Sequence, residues 1–229
     1  EKVQGRAWPP LASSPGAFTA FAEALDVASV RFVDVLGLEE ELLELLPAPC
    51  MAMVLLFPTC TAADDYLTTR EREAAAHFAG PPARPPPFFV RQLRGGTCGT
   101  VAALHALVHS PDQAAHVLRR ELEEEGEEAA VAEEVEAEAA AVAPVDADSR
   151  RVLRCSRRLL RSPRIRAAHD LAAGATSAVR ATAGERQGRH FVTWVPHYST
   201  ELNRAELVLL DGRRVRPIRC FPEPSLNLP

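Results

Sequence analysis

Lysine is nearly absent from this chain: Lys2 is the only one, so 25 of the 26 basic residues are arginines. Aromatic residues are also scarce, at 6%, with two tryptophans and two tyrosines. Positive charge is in deficit, because 31 acidic residues leave a net charge of -5. That balance disfavours a dedicated nucleic-acid binder, whose footprint is a basic surface. The longest apolar run, Met51 to Phe57 with its neighbours, is far short of the roughly 20 residues needed to span a bilayer. No charged-then-apolar signal segment opens the chain. Cysteine is present but unpatterned, at positions 50, 60, 98, 155 and 220, with no C-x-x-C pair. A zinc knuckle and a thioredoxin-like motif are thereby excluded, and the odd count argues against a secreted disulfide framework. The expectation is a reducing, cytoplasmic setting, with no membrane, no nucleic acid, no metal and no cofactor.

What is present is enough for a folded domain. The chain has 229 residues, 47% of them hydrophobic and 25% charged, which is a globular composition able to bury a core. Residues 14–26 predict a helix: Ser14 suits the N-cap, Pro15 the first turn, and Phe18, Phe21, Ala22 and Leu25 share a face. Val30 to Leu36 reads as a strand and residues 38–46 as a short helix. The continuous apolar run 50–57 reads as a central strand buried on both faces. Residues 64–79 are helix-like, and the prolines of 81–87 require an extended connection. A glycine-rich turn then leads into an alanine- and leucine-rich helix up to residue 109. Ten glutamates crowd residues 121–138 and eight arginines residues 150–166. Such runs read as two solvated helix faces that pair with each other. Residues 171–188 are small and polar and predict a mobile loop. Strands are expected at 190–196, 205–211 and 215–221. The layout is α+β, a mostly antiparallel central sheet flanked by helices, in a single domain over 1–229.

Cys98 follows Gly95, Gly96 and Thr97 and opens a helix. Unpaired N–H groups and the positive helix end favour the thiolate, which is the nucleophilic form. Gln92 lies six residues upstream, where its amide could meet an oxyanion, with the Cys98 backbone N–H as second donor. The same short motif also fits a buried structural cysteine after a tight turn. A thiolate needs a base and the base an orienting group. His105 lies on the same helix face, but seven residues rise roughly 10 Å, too far for a hydrogen bond. His105 and His109 have metal-pair spacing but no third ligand, so they read as satisfied histidines. His190 opens an apolar strand after the predicted loop, and Asp211 closes the next one. Strand pairing would set them side by side, so Cys98, His190 and Asp211 form a triad by role. Taken alone, His190 is also compatible with an ordinary strand residue.

Several segments together resemble the ubiquitin carboxyl-terminal hydrolase family. They are RFVDVLGLEEELLELLPAPC (31–50), VLLFP (54–58), RQLRGGTCGTVAALHAL (91–107) and WPPLASSP (8–15), followed in order by AAHD (167–170), HF (190–191) and LLDGR (209–213). The resemblance implies a papain-like fold with a knotted backbone and thiol-dependent hydrolysis at the C-terminal glycine of ubiquitin. It makes Cys98 the nucleophile, Gln92 the oxyanion donor, His190 the base and Asp211 its orienting carboxylate. Pro10, Leu11, Ala12, Ser13, Ser14 and Pro15 match the ubiquitin-contacting segment. Ala173, Gly174, Ala175, Thr176, Ser177, Ala178, Val179 and Arg180 match part of a crossover loop that restricts leaving groups to small adducts or unfolded peptides. Ubiquitin is the implied partner and a monomer the implied state. Residues 121–140 stand out as an acidic insertion. The tail 214–229 departs from the family, which continues into a helix and a closing strand, so a fold incomplete at its C-terminus is expected. The alternative function is a catalytically weak protein that sequesters monoubiquitin.

Overall fold

The computed structural model describes residues 8–77, 87–124, 147–175, 188–199 and 204–220. Helix α1 (Pro15–Glu23) starts where the capping signals put it: the Ser14 hydroxyl accepts from the Ala17 N–H at 3.3 Å, and Pro15 fills the first turn. Ala17, Phe18, Phe21 and Ala22 are buried. Then follow α2 (Glu40–Leu43), β1 (Met53–Pro58), α3 (Thr61–His77), α4 (Cys98–Leu107), α5 (Gln113–Glu123), α6 (Ala147–Arg161), α7 (Pro163–Ala175), β2 (Arg189–Ser199), β3 (Arg204–Leu210) and β4 (Ile218–Cys220). The four strands form one antiparallel sheet in the order β1-β2-β3-β4. No helix among the described residues is long and apolar enough to cross a membrane.

Helix α4 is the centre of the molecule. Gly99 through Leu107 are all buried, as expected of a helix that is apolar on every side. Its small residues bring β2 close, and the Thr193 hydroxyl donates to the Ala102 carbonyl at 2.8 Å. Strand alternation sends Phe191, Thr193 and Val195 to one sheet face and His190, Val192 and Trp194 to the other. On that second face Val192, Leu209 and Ile218 pack with Leu67 of α3. Two helix layers therefore sandwich the sheet, with the main core around α1, α4 and α7.

The structure corrects four expectations. Residues 30–36 are extended but join no ladder; Phe32 packs on Phe18, 5.3 Å between ring centroids, while Val33, Val35 and Leu36 are exposed. The helix at 38–46 shrinks to one turn, α2, which buries none of its residues. The apolar run 50–57 is not a central strand: β1 pairs only with β2 among the described residues, and Met53 and Leu55 are exposed. Composition reports apolarity, whereas centrality depends on a partner elsewhere in the chain. Finally, the first five residues of the loop expected at 171–188 are helical, because α7 runs on through the alanines to Ala175, and residues 176–187 lie outside the described residues. Ala173, Gly174 and Ala175 are thus helical, since alanine favours helix over loop.

The remaining strands fall near their expected places, and Pro217 lies just outside β4, which is at the edge of the sheet among the described residues, where a missing N–H is tolerated. The arginine-rich run spans α6 and the start of α7. Arg151 bonds Glu123 at 3.1 Å and Arg164 bonds Glu121 at 3.2 Å, so charges of opposite sign do meet across α5, α6 and α7. Residues 125–140 of the acidic insertion, 176–180 of the crossover loop and 221–229 of the tail lie outside the described residues.

Candidate active site

Val90 is buried and Arg91 and Gln92 are half-buried, and their three backbone donors go to three different parts of the fold. Val90 N–H donates to His105 Nε2 of α4 at 3.1 Å, and Arg91 N–H to Ser156 Oγ of α6 at 2.7 Å. Gln92 N–H donates to the Gly212 carbonyl, just past β3, at 2.7 Å. Buried donors need such partners, and together they fix the Gln92 side chain relative to α4 and β3. Gln92 Nε2 donates to the Arg94 carbonyl at 3.2 Å. A carbonyl cannot donate, so this contact also sets which end of the amide is nitrogen.

The turn after Gln92 delivers Cys98 to the first position of α4. Gly96 has φ +83°, and a β-carbon there would collide with the Trp8 carbonyl oxygen. The turn thus needs glycine both for its backbone angle and for the close approach of the 8–14 segment. Thr97 Oγ1 donates to the Arg94 carbonyl at 2.7 Å, closing the turn from inside. The Cys98 N–H belongs to the helix-terminal donors that have no intrahelical acceptor.

His190 reaches the thiol from β2. The β2–β3 register pairs Thr193 with Leu210, so Asp211 stands level with Val192 and diagonal to His190 rather than directly opposite it. Both lie on the same sheet face, within reach of a ring. His190 Nε2 and Asp211 Oδ1 are 2.6 Å apart, with side chains only 4% and 1% exposed. His190 pulls the Cys98 pKa down, and the Asp211 contact at Nε2 leaves Nδ1 as the ring nitrogen not engaged by the carboxylate.

The electrostatics follow from that chain of contacts. Burial works to raise the Cys98 pKa, but hydrogen bonds from His190 and the Phe191 backbone outweigh it and hold the thiol below its ordinary value. His190 is opposed by burial yet raised on balance by its bonds to Asp211 and Cys98. Asp211, also opposed by burial, is lowered by His190 and by the Arg213 N–H. The three shifts favour a thiolate beside an imidazolium. His105, by contrast, is driven down to about 3, first by burial and then by the charge of His109. Its Nε2 is occupied by the Val90 N–H, and it stacks on Phe89 at 5.3 Å.

Cys98, His190 and Gln92 line an open cleft of about 1470 Å³. One wall is Pro9 to Ser14, which includes five of the six residues read as ubiquitin-contacting; Pro15 instead begins α1. Trp8 anchors that wall: it is buried, lies edge-on to His169 of α7 at 4.6 Å, and carries the Arg166 guanidinium over its face at 4.7 Å. Thr59, Cys60, Thr61, Asp64 and Arg213 also line the cleft. Ala173 lines the cleft from α7, the one residue of the crossover-loop set that does so among the described residues. Sequence reading missed the tie between Asp211 and α3 through Arg213 and Arg214. The doubled arginine after Asp211 was visible, but its partner helix was not.

A thiol held below its ordinary pKa, an imidazole and a buried carboxylate beside a side-chain amide are the groups that nucleophilic thiol chemistry requires. A family model described as ubiquitin carboxyl-terminal hydrolase, family 1, matches residues 8–226, and the chain belongs to that family. It is 33% identical over 104 residues to a probable ubiquitin carboxyl-terminal hydrolase of Dictyostelium discoideum, covering 45% of this chain and 40% of that protein. It is 34% identical over 105 residues to ubiquitin carboxyl-terminal hydrolase isozyme L1 of Homo sapiens, covering 45% of each. The aligned part therefore spans less than half the length of these curated relatives. Among solved structures it is similar to Trichinella spiralis UCH37 bound to ubiquitin vinyl methyl ester, with 18% identity and a TM-score of 0.49, covering 95% of this chain and 68% of that one.

Proposed function

We propose that this chain is a single catalytic domain that hydrolyses amides and esters at the C-terminal glycine of ubiquitin by thiol chemistry. The observation that carries the reading is the half-buried Cys98 beside the buried His190–Asp211 pair, opening into a cleft lined by Pro9 to Ser14. The Cys98 thiolate attacks the glycine carbonyl carbon, and the carbonyl π electrons move to oxygen. The Gln92 amide and the Cys98 N–H stabilise the resulting oxyanion. The imidazolium of His190 gives its proton to the leaving amine as the C–N bond breaks, leaving a thioester. His190 then takes a proton from water, which attacks the thioester and releases the ubiquitin carboxylate and the thiol. Asp211 holds the ring by Nε2 and stabilises its charge without itself taking a proton.

Ubiquitin is the proposed partner, seated along Pro10 to Ser14, with small adducts or unfolded peptides as leaving groups. A reducing, cytoplasmic setting suits a mechanism that needs a free thiol, and all five cysteines are free. The test is hydrolysis of a ubiquitin C-terminal fluorogenic amide. Cys98→Ala is expected to abolish turnover while ubiquitin binding persists. Turnover surviving in Cys98→Ala overturns the mechanism. Binding without turnover in the unaltered chain replaces the hydrolase reading with that of a ubiquitin-sequestering protein.

A further inference from the structure

The two oxygens of Asp211 are used unequally. Oδ1 meets His190 Nε2 at 2.6 Å and accepts from the Arg213 N–H at 2.9 Å. Oδ2 is buried without a hydrogen bond, and so is Arg214 Nε; the two atoms face each other at 3.5 Å. The rest of the Arg214 guanidinium is tied to α3. Nη1 donates to Thr68 Oγ1 at 2.9 Å and lies 3.8 Å from Glu71 Oε2. Nη2 donates to the Asp64 carbonyl at 3.3 Å and to Asp64 Oδ1 at 3.4 Å. Residues 64, 68 and 71 follow the i, i+4, i+7 spacing of one helix face. The Arg214 side chain is only 13% exposed, and its N–H donates to the Asp211 carbonyl at 2.9 Å.

A guanidinium is planar and rigid, so holding both Nη atoms fixes the direction of Nε. We propose that Arg214 is a positioning residue: it clamps the Asp211 carboxylate against α3, in the orientation from which Oδ1 engages the His190 ring. This rests on the thiol-hydrolase reading above. The geometry favours a clamp over a loose counter-charge. Without Arg214, Oδ2 would have no partner, and the carboxylate could rotate about its own bond and exchange its oxygens. The charged and titratable groups around Asp211 are His190 from β2, Arg213 and Arg214 from its own turn, Asp64 and Glu71 from α3, and the buried His105 from α4.

The sign of the effect separates the alternatives. If Arg214 orients Asp211, its loss weakens support of the imidazolium, so the His190 pKa falls and Cys98 becomes harder to ionise. If Arg214 acts only as a charge, its loss leaves more negative field at His190 and the His190 pKa rises. If it only packs α3 against the sheet, stability changes and neither titration moves.

The experiment is the rate of Cys98 alkylation by iodoacetate, whose carboxylate is drawn by the imidazolium so that the rate falls as His190 loses its proton, across pH on the whole chain and on Arg214→Met, with turnover of the ubiquitin amide alongside. Alkylation needs no ubiquitin, so failure of the substrate assignment would not be mistaken for failure of the clamp. The expected result for Arg214→Met is an upper limb displaced downward by about one unit, roughly a tenfold change in equilibrium. The lower limb should move up, and kcat should fall with KM unchanged. An upper limb that stays in place or moves upward overturns the proposal. Arg214→Lys keeps the charge but cannot bridge Asp211, Thr68 and Asp64 with a rigid fork. It should shift both limbs in the same directions by less. Should Arg214→Met fail to fold, wild-type limbs in Arg214→Lys overturn the clamp.

Discussion

Gly96→Ala isolates the junction between the thiol turn and the cleft wall. Gly96 has φ +83°, and its new methyl would overlap the Trp8 carbonyl oxygen while lying 3.2 Å from the Trp8 carbonyl carbon. Both neighbours are backbone, so no rotamer change relieves the clash. Trp8 cannot retreat easily, because its ring is held by His169 and Arg166. A left-handed backbone costs a residue with a β-carbon about 1–2 kcal/mol. Overpacking a rigid site costs about 1–3 kcal/mol more. The sum, about 2–5 kcal/mol, is a large part of the roughly 5–15 kcal/mol that holds a domain together. Urea unfolding followed by circular dichroism measures it. Gly95→Ala is the matched control: nothing lies within 4 Å of a β-carbon there and its φ is not positive, so its effect should stay within about 0.5 kcal/mol. Because Trp8 leads into the Pro9–Ser14 wall, Gly96→Ala should also raise KM for the ubiquitin amide. A Gly96→Ala protein as stable as the parent, or a Gly95→Ala protein as damaged, would refute the reasoning.

Gln92→Ala should reduce kcat by roughly 10²-fold, the usual loss for one oxyanion donor, with KM little changed; a pure KM effect in steady-state kinetics would reassign Gln92 to substrate contact. His105→Leu removes the acceptor of the Val90 N–H and should cost about 1–3 kcal/mol in unfolding free energy, while Cys98 alkylation keeps its rate. Equal loss of alkylation in His105→Leu and His190→Gln would show that the wrong histidine was chosen as base. The pKa of Asp211 lies below its ordinary value in the folded state, so its contribution to stability is present above the ordinary carboxylate range and lost as pH falls through the lowered value. Melting temperature against pH should therefore fall less steeply on the acid side in Asp211→Asn than in the parent, and an unchanged acid slope would contradict the assigned shift.

The parts of the molecule governed by near neighbours were legible in the sequence. Ser14 and Pro15 announce α1, and Gly-Gly-Thr-Cys announces a turn into α4, because caps and turns are settled within a few residues. β2 and β3 could be read as apolar strand runs at 190–196 and 205–211, which put His190 and Asp211 side by side. The offset between them could not be read, because register depends on how two strands slide past one another. The same holds for residues 30–36 and 50–57. Val-Arg-Phe-Val-Asp-Val-Leu has strand propensity but finds no ladder among the described residues, and Met53–Phe57 looks central but is paired there on one side only. Composition also misjudged Leu171 to Ala175, where small residues suggested a loop but alanine extends α7. The supports of the site were the least visible part. Arg214 with Thr68, Trp8 with His169 and Arg91 with Ser156 each join residues far apart in the chain.

The bond from the Gln92 N–H to the Gly212 carbonyl has a consequence for how variants combine. It joins the backbone of Gln92 to the residue directly after Asp211, at 2.7 Å. Gly212 has no room to loosen it, since a β-carbon there would lie 2.8 Å from Val101 Cγ1 and 3.2 Å from Gln92 Cβ. Donor and acid thus ride on one stiff element, and a displacement that spoils one spoils the other. Groups sharing a backbone tie of this kind show interaction energies of about 0.5–3 kcal/mol. A double-mutant cycle across Gln92 and Asp211 is then sub-additive, and the residual rate of the double variant exceeds the product of the two single losses.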